Sequence, residues 1–152
     1  KIRIMSIFEK INDDIKKAMI AKEKDKLEAL RAVKAAFLLA KTETANSELS
    51  EEKEIQIVQK LVKQRRDAAE IYKEQNRKDL YEPEVFQADV ISAYLPEQMS
   101  EEEIADFVKA IIIELNADSM KDMGKVMAAA NAKLAGKADG KTISSIAKSL
   151  LS

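Results

Sequence analysis

The sequence predicts an all-α protein: an N-terminal bundle of about four helices followed by a small C-terminal three-helix unit. Three observations carry this reading. Glycine and proline are scarce, at three and two residues, while the strong helix formers Ala, Leu, Lys and Glu are abundant. Apolar residues recur at three- and four-residue intervals along most of the chain, and no alternating strand pattern of useful length or clean internal repeat occurs. Residues suited to capping helix N-termini precede several of these runs. A length of 152 residues fits one domain or two small ones with a moderate core.

Ser6 and Glu9 predict a capping box for a first helix, with Phe8, Ile11, Ile15 and Met19 at helical spacing. Asp25 and Glu28 predict the same box for a second helix, whose face is Leu27, Leu30, Val33, Phe37 and Leu38. The polar run 42–50 reads as a loop. Ser50, followed by Glu51, Glu52 and Glu54, opens a third helix, because acidic groups favour the positive end of the helix dipole. Its face is Ile55, Val58, Leu61, Val62, Ala69 and Tyr72. A fourth helix runs from about Lys78 to Tyr94. Pro83 leaves two alternatives for it: a break near Tyr81 with Pro83 opening a new helix, or one kinked helix.

Tyr94-Leu95-Pro96 closes a first domain over residues 5–95, because proline disfavours helix at the residue before it. Residues 96–99 read as a hinge and 100–152 as the second domain. Ser100 and Glu103 form another capping box, followed by Ile104, Phe107, Val108, Ile111 and Leu115. The next face is Met120, Met123, Met127, Ala130 and Leu134, and the last is Ile143, Ile146, Ala147 and Leu150.

The chain has no Cys and no His. Disulfides, thiolate chemistry and the commonest general base and metal ligand are therefore missing, which argues against most hydrolase and zinc mechanisms. Solvated helix faces rich in Asp and Glu single out no metal site, and no cofactor is expected. Apolar runs such as Ala35–Ala40 are far shorter than the ~18 residues of a membrane span, so no membrane partner is expected. Met5 is the expected natural initiator, with four added residues before it, and the start is too short for a secretory signal.

The net charge of −1 hides an asymmetry. From Ser119 to Ser152, six lysines face only Asp122 and Asp139, a net of +4; the remainder, with 20 basic and 25 acidic residues, is −5. A basic end on an acidic body suits a polyanion on one side only, although a solubilising face gives the same count. The run Gly136-Lys137-Ala138-Asp139-Gly140-Lys141 lies in this stretch, as does Gly124-Lys125. Glycine beside lysine lets backbone N–H groups and an ammonium approach a phosphate together. The run resembles a P-loop, but it has three residues between its glycines where that motif has four, and a helical pattern precedes it. It also reads as a helix C-cap at Gly136 and an N-cap at Asp139. Gly124, inside a helical pattern, suggests close approach of a neighbouring helix or a ligand. Arg65, in the third helix's apolar arc, requires a partner: backbone carbonyls, a carboxylate such as Glu28, Glu84 or Asp89, or a ligand anion.

Several spaced motifs together resemble the GatB/YqeY family over essentially the whole chain from Met5. They are Lys63-Gln64-Arg65-Arg66-Asp67 with Tyr72, Arg77-Lys78-Asp79-Leu80, Tyr94-Leu95-Pro96, Met123-Gly124-Lys125-Val126-Met127 and Gly136-Lys137-Ala138-Asp139-Gly140. Pro83 and the bland Ala128-Ala129-Ala130-Asn131 depart from the family pattern. The resemblance implies an all-α protein related to the tail domain of GatB, one polypeptide of the tRNA-dependent Asp/Glu amidotransferase. That tail helps bind tRNA while catalysis occurs elsewhere in the enzyme. The resemblance implies tRNA as partner, with an aminoacyl-tRNA synthetase or amidotransferase as a further one, and a cytoplasmic location. The label of a glutamine-dependent carbon–nitrogen ligase travels with the resemblance, but the chain shows no catalytic residues for it.

The leading function is therefore tRNA binding through Lys125, Lys133, Lys137 and Lys141 with Gly124, Gly136 and Gly140; Arg65, Tyr94, Pro96 and Asp139 are assigned structural roles. Backbone contacts are expected, since the basic stretch has no aromatic residue for stacking on bases. The alternative is a protein-interaction adaptor using the acidic bundle or an off-face residue such as Ile113. A third reading, an enzyme acting on an amide, finds only ordinary Ser and Lys residues to support it.

Overall fold

The computed structural model describes residues 5–43 and 48–152; the four residues before Met5 and residues 44–47 of the expected loop lie outside the described residues. Among the described residues the chain forms α-helices and no strand. They are α1 (Ile7–Ile20), α2 (Lys24–Thr42), α3 (Glu51–Glu74), α4 (Lys78–Ser92), α5 (Glu101–Glu114), α6 (Met123–Leu134) and α7 (Gly140–Leu151), with a 3-10 turn at Met120–Asp122. They cluster into two compact units that divide between Leu95 and Pro96.

The start of α1 shows how the first unit is held. Four N–H groups at a helix N-terminus lack intrahelical partners, and here all four are satisfied. Ser6 Oγ accepts from Glu9 N at 3.1 Å and Glu9 Oε1 accepts from Ser6 N at 3.4 Å, the expected capping box. The other two donors, Ile7 N and Phe8 N, are met by Glu54 of α3 at 3.4 and 3.0 Å. Glu54 is only 3% exposed, and its carboxylate sits at the positive end of the α1 dipole.

α1–α2 and α3–α4 are hairpins built on one turn. After α1, Glu23 N donates to Ala18 O at 3.0 Å and Lys22 N to Met19 O at 3.2 Å. After α3, Arg77 N donates to Tyr72 O at 2.8 Å and Asn76 N to Lys73 O at 3.1 Å. These are Schellman motifs, and their left-handed residues are Lys22 and Asn76, with φ of 57° and 56°. The carbonyls of Glu23 and Arg77 then accept from Leu27 N and Tyr81 N, so the residue that ends one helix begins the next. This corrects the expected Asp25–Glu28 box. The turn starts α2 at Lys24, and Asp25 falls in the first turn instead of at the cap.

The core of this unit joins Ile7, Ile11, Ile15 and Ala18 of α1 to Ala29, Leu30, Val33 and Phe37 of α2, Val58 of α3 and Ile91 of α4. Phe8 packs on it with its ring centroid 6.0 Å from that of Phe37. The expected face residues Met19 and Leu38 are instead exposed, and Ala18 and Ala40 take the buried positions. Pro83 breaks nothing: α4 is one helix through it. Both Pro83 and Asp79, whose carbonyl loses its partner to the ring, are exposed to water, which limits the loss. Tyr94, past the end of α4, donates through its hydroxyl to Asp14 of α1.

In the second unit the Ser100–Glu103 capping box forms, and the third Schellman motif, with Asn116 at φ 52°, ends α5. The three helices pack on one another. Their core is Ile104, Val108 and Ile111, then Val126, Ala130 and Leu134, then Ala138, Ile143, Ala147 and Leu151. Two expected faces are corrected here. Val126 is fully buried where the methionines Met123 and Met127 are only partly so, and Leu151 replaces Leu150. Met120 and Leu115 are exposed.

Candidate nucleic-acid interface

The segment that carries the basic residues is built from the 3-10 turn, α6, the α6–α7 connection and α7. Gly136 makes the connection possible. Ala135 (φ −53°, ψ 124°) and Gly136 (φ 79°) form a type II turn, closed by Lys137 N donating to Leu134 O at 2.9 Å. The turn is buried at Gly136 and Ala138 and exposed at Lys137. Two residues before α5 hold it from outside: Gln98 Nε2 donates to Gly136 O at 2.7 Å and Met99 N to Lys137 O at 2.9 Å. Residues 96–99 thus belong to the second unit. Pro96 also contributes, its carbonyl accepting from Gln98 Nε2 at 2.7 Å.

Asp139 caps α7 with long bonds, from Lys141 N at 3.4 Å and from the Thr142 hydroxyl at 3.5 Å. Gly140 and Lys141 are the first two residues of α7. The start of α6 is organised differently. Asp122 makes no side-chain cap; its Oδ2 accepts from Asp118 N at 3.1 Å. That amide, aided by the charge of Lys125, holds the Asp122 carboxyl below its ordinary range. A carboxylate therefore stands beside each helix start where an incoming phosphate would sit, so the lysine ammoniums carry the positive surface, not the helix termini.

The structure separates residues that the sequence groups. Gly136, Lys137, Asp139, Gly140 and Lys141 gather around one turn. Gly124 and Lys125 lie at the opposite end of α6, about 14 Å away along the helix axis from Leu134. The close approach expected at Gly124 is absent: a Cβ built there meets nothing within 4 Å. Gly124 is the second residue of its helix, so its position needs no packing reason.

All six lysines of this stretch are exposed, and they differ in their surroundings. Lys125 Nζ is 3.9 Å from Asp122 and Lys133 Nζ is 3.9 Å from Glu114. Among the described residues, Lys121, Lys137, Lys141 and Lys148 have no carboxylate within ion-pair distance. The unit's acids lie elsewhere in its sequence: residues 96–118 carry seven carboxylates against Lys109 alone.

The two other residues assigned structural roles lie in the first unit. Burial first, and then the bond to Asp14 and its charge, push the Tyr94 phenol above its ordinary pKa. Arg65 is half-buried; its Nε donates to Gln87 Oε1 at 2.8 Å and its Nη1 to Leu61 O at 3.2 Å. The expected carboxylate partner is corrected: at a half-hydrated position two neutral acceptors suffice, and Asp89 pairs with Arg66 at 2.8 Å instead.

Two comparisons bear on this arrangement. A family model described as Yqey-like protein matches residues 8–151. Among characterised proteins, the chain is similar to "Altered inheritance of mitochondria protein 41, mitochondrial" of Pyrenophora tritici-repentis (strain Pt-1C-BFP). The two are 28% identical over 134 residues, which cover 87% of this chain and 73% of the relative. No helix among the described residues is long and apolar enough to cross a membrane.

Proposed function

Because the chain belongs to the YqeY-like family, we propose that it is a tRNA-binding module that contacts the RNA backbone through the basic stretch 119–152. The observation that carries the reading is charge segregation within one small unit. Seven carboxylates lie before residue 119, and six exposed lysines follow it. Such a unit favours a polyanion along the residues after 119 and repels it along those before. The basic stretch holds no aromatic residue, which suits phosphates and not splayed bases. The reading places the protein beside a tRNA-handling enzyme, an amidotransferase or a synthetase, in the cytoplasm. The fungal relative's name refers that protein to mitochondria. A second reading, an adaptor for another protein, draws on Ile113, which is 76% exposed on α5.

Salt separates the two. In a fluorescence titration of tRNA, the intact chain should bind at low salt and weaken steeply as salt rises. Lys137→Glu with Lys141→Glu should flatten the log-affinity against log-salt slope by roughly 1.4 to 1.8, at about 0.7 to 0.9 for each phosphate left without its lysine. An intact chain that binds no tRNA at low salt would replace this reading with the adaptor.

A further inference from the structure

Resting on that reading, we infer that the working RNA surface is the outward strip of α7, Lys137, Lys141, Ser145 and Lys148, and that the α6 lysines contribute little. Lys141 and Lys148 are seven residues apart, which places them on one face of the helix with about 10 Å of rise between them. Ser145, exposed, lies between them at four residues from one and three from the other. The opposite face carries Ile143, Ala147 and Leu151, all buried in the core. The strip's orientation is therefore set by packing.

Its chemistry is one-sided. From Gly140 to Leu151 no acidic side chain occurs, so the strip offers only ammonium and hydroxyl groups, the donors used on phosphate and sugar. Lys137 extends it from a backbone pinned at both its N–H, to Leu134, and its carbonyl, by Met99. Asp139, just before the strip in sequence, is turned onto the Lys141 N–H and the Thr142 hydroxyl at the start of α7. On α6 the balance differs. Lys125 and Lys133 each stand beside a carboxylate, Asp122 and Glu114, so at a distance each pair presents almost no net charge. An RNA strand following α7 gains three ammoniums; one following α6 must also approach two carboxylates.

The test is a tRNA titration with three variants of the full chain, each checked for unchanged helix content by circular dichroism. Lys141→Glu with Lys148→Glu should weaken binding tenfold or more at low salt and flatten the salt slope by roughly 1.4 to 1.8. Lys125→Glu with Lys133→Glu should weaken it less than about threefold, with a slope change under about 0.5. Ser145→Asp replaces no lysine and gains helix-stabilising pairs with both Lys141 and Lys148; it should weaken binding as a charge placed inside the strip. Equal losses from the α6 and α7 pairs, or undiminished binding by Ser145→Asp, would overturn the assignment to α7 while leaving tRNA binding intact. Absence of binding by the unaltered chain would overturn both.

Discussion

Removing the Glu54 carboxylate should destabilise the first unit far more than removing any other glutamate at the start of α3. Glu54→Ala leaves Ile7 N and Phe8 N without their acceptor at the start of α1, in a site where Glu54 is 3% exposed. An unsatisfied buried donor costs about 1 to 3 kcal/mol, and loss of an anion at a partly buried helix N-terminus up to about 2 kcal/mol. Against this stands the relieved cost of burying a carboxylate, which offsets part of the loss. The net expectation is about 2 to 3 kcal/mol. Glu54→Gln keeps one acceptor oxygen but turns an amide donor toward the second N–H, so about 1 to 2 kcal/mol is expected. Glu51→Ala, at an exposed position, should cost under about 0.5 kcal/mol.

Urea denaturation followed by tyrosine fluorescence reads this directly. All three tyrosines, Tyr72, Tyr81 and Tyr94, lie in the first unit and the chain has no Trp, so the signal reports the unit that holds Glu54. With a urea dependence of about 1 to 3 kcal/mol per molar, Glu54→Ala should lower the midpoint by roughly 1 to 2 M. A midpoint shift no larger than that of Glu51→Ala would show that the two N–H groups are not held by this carboxylate.

Two further outcomes are read by urea denaturation followed by circular dichroism, a signal that tyrosine ionisation above about pH 10 does not remove. Tyr94→Phe should cost about 1 to 2 kcal/mol by deleting the bond to Asp14. Because folding raises the phenol's pKa, its contribution is present below about pH 10, the ordinary tyrosine value, and is lost as pH rises through the folded value; the variant should therefore lose less stability than the parent on titration above pH 10, and parallel alkaline curves would contradict this. Lys22→Gly should stabilise, since the left-handed backbone at φ 57° costs a side-chain-bearing residue about 1 to 2 kcal/mol, of which glycine's unfolded-state freedom returns about 0.5 to 1 kcal/mol. A lower urea midpoint for Lys22→Gly would argue against strain at that turn.

What can be read from the sequence is what a few neighbouring residues decide. The boxes at Ser6–Glu9 and Ser100–Glu103, and the Ser50 cap, are three-residue events and appear as expected. The Asp25–Glu28 box fails because a tertiary turn, not a side chain, sets the start of α2. Glu54 escapes a reading of the sequence because its partners lie 46 and 47 residues away. The local signal is weak: Glu54 precedes Val58 by four residues and lies on the apolar arc, but Glu51, seven residues before Val58, shares that arc and only Glu52 falls off it. Asn76 and Asn116 are readable as left-handed helix ends, whereas Lys22 offers no such sign. At the candidate interface the residue types and net charge are legible. That Lys133 stands beside Glu114 is not, because that pair joins α6 to α5.

The bonds from Gln98 and Met99 to the Gly136–Lys137 turn have a consequence for how the chain can be cut. Glu97 and Gln98 are exposed and look like a spacer open to proteases, yet a protease needs several residues pulled into an extended strand. Extending this stretch requires releasing the carbonyls of Gly136 and Lys137 together. A fragment trimmed to begin at Ser100 would keep every lysine of the basic stretch while losing the strap that fixes the loop between α6 and α7. The Met99 amide should accordingly exchange its hydrogen slowly for a residue so near a chain crossing, and nicking after Glu97 should loosen Lys137 first.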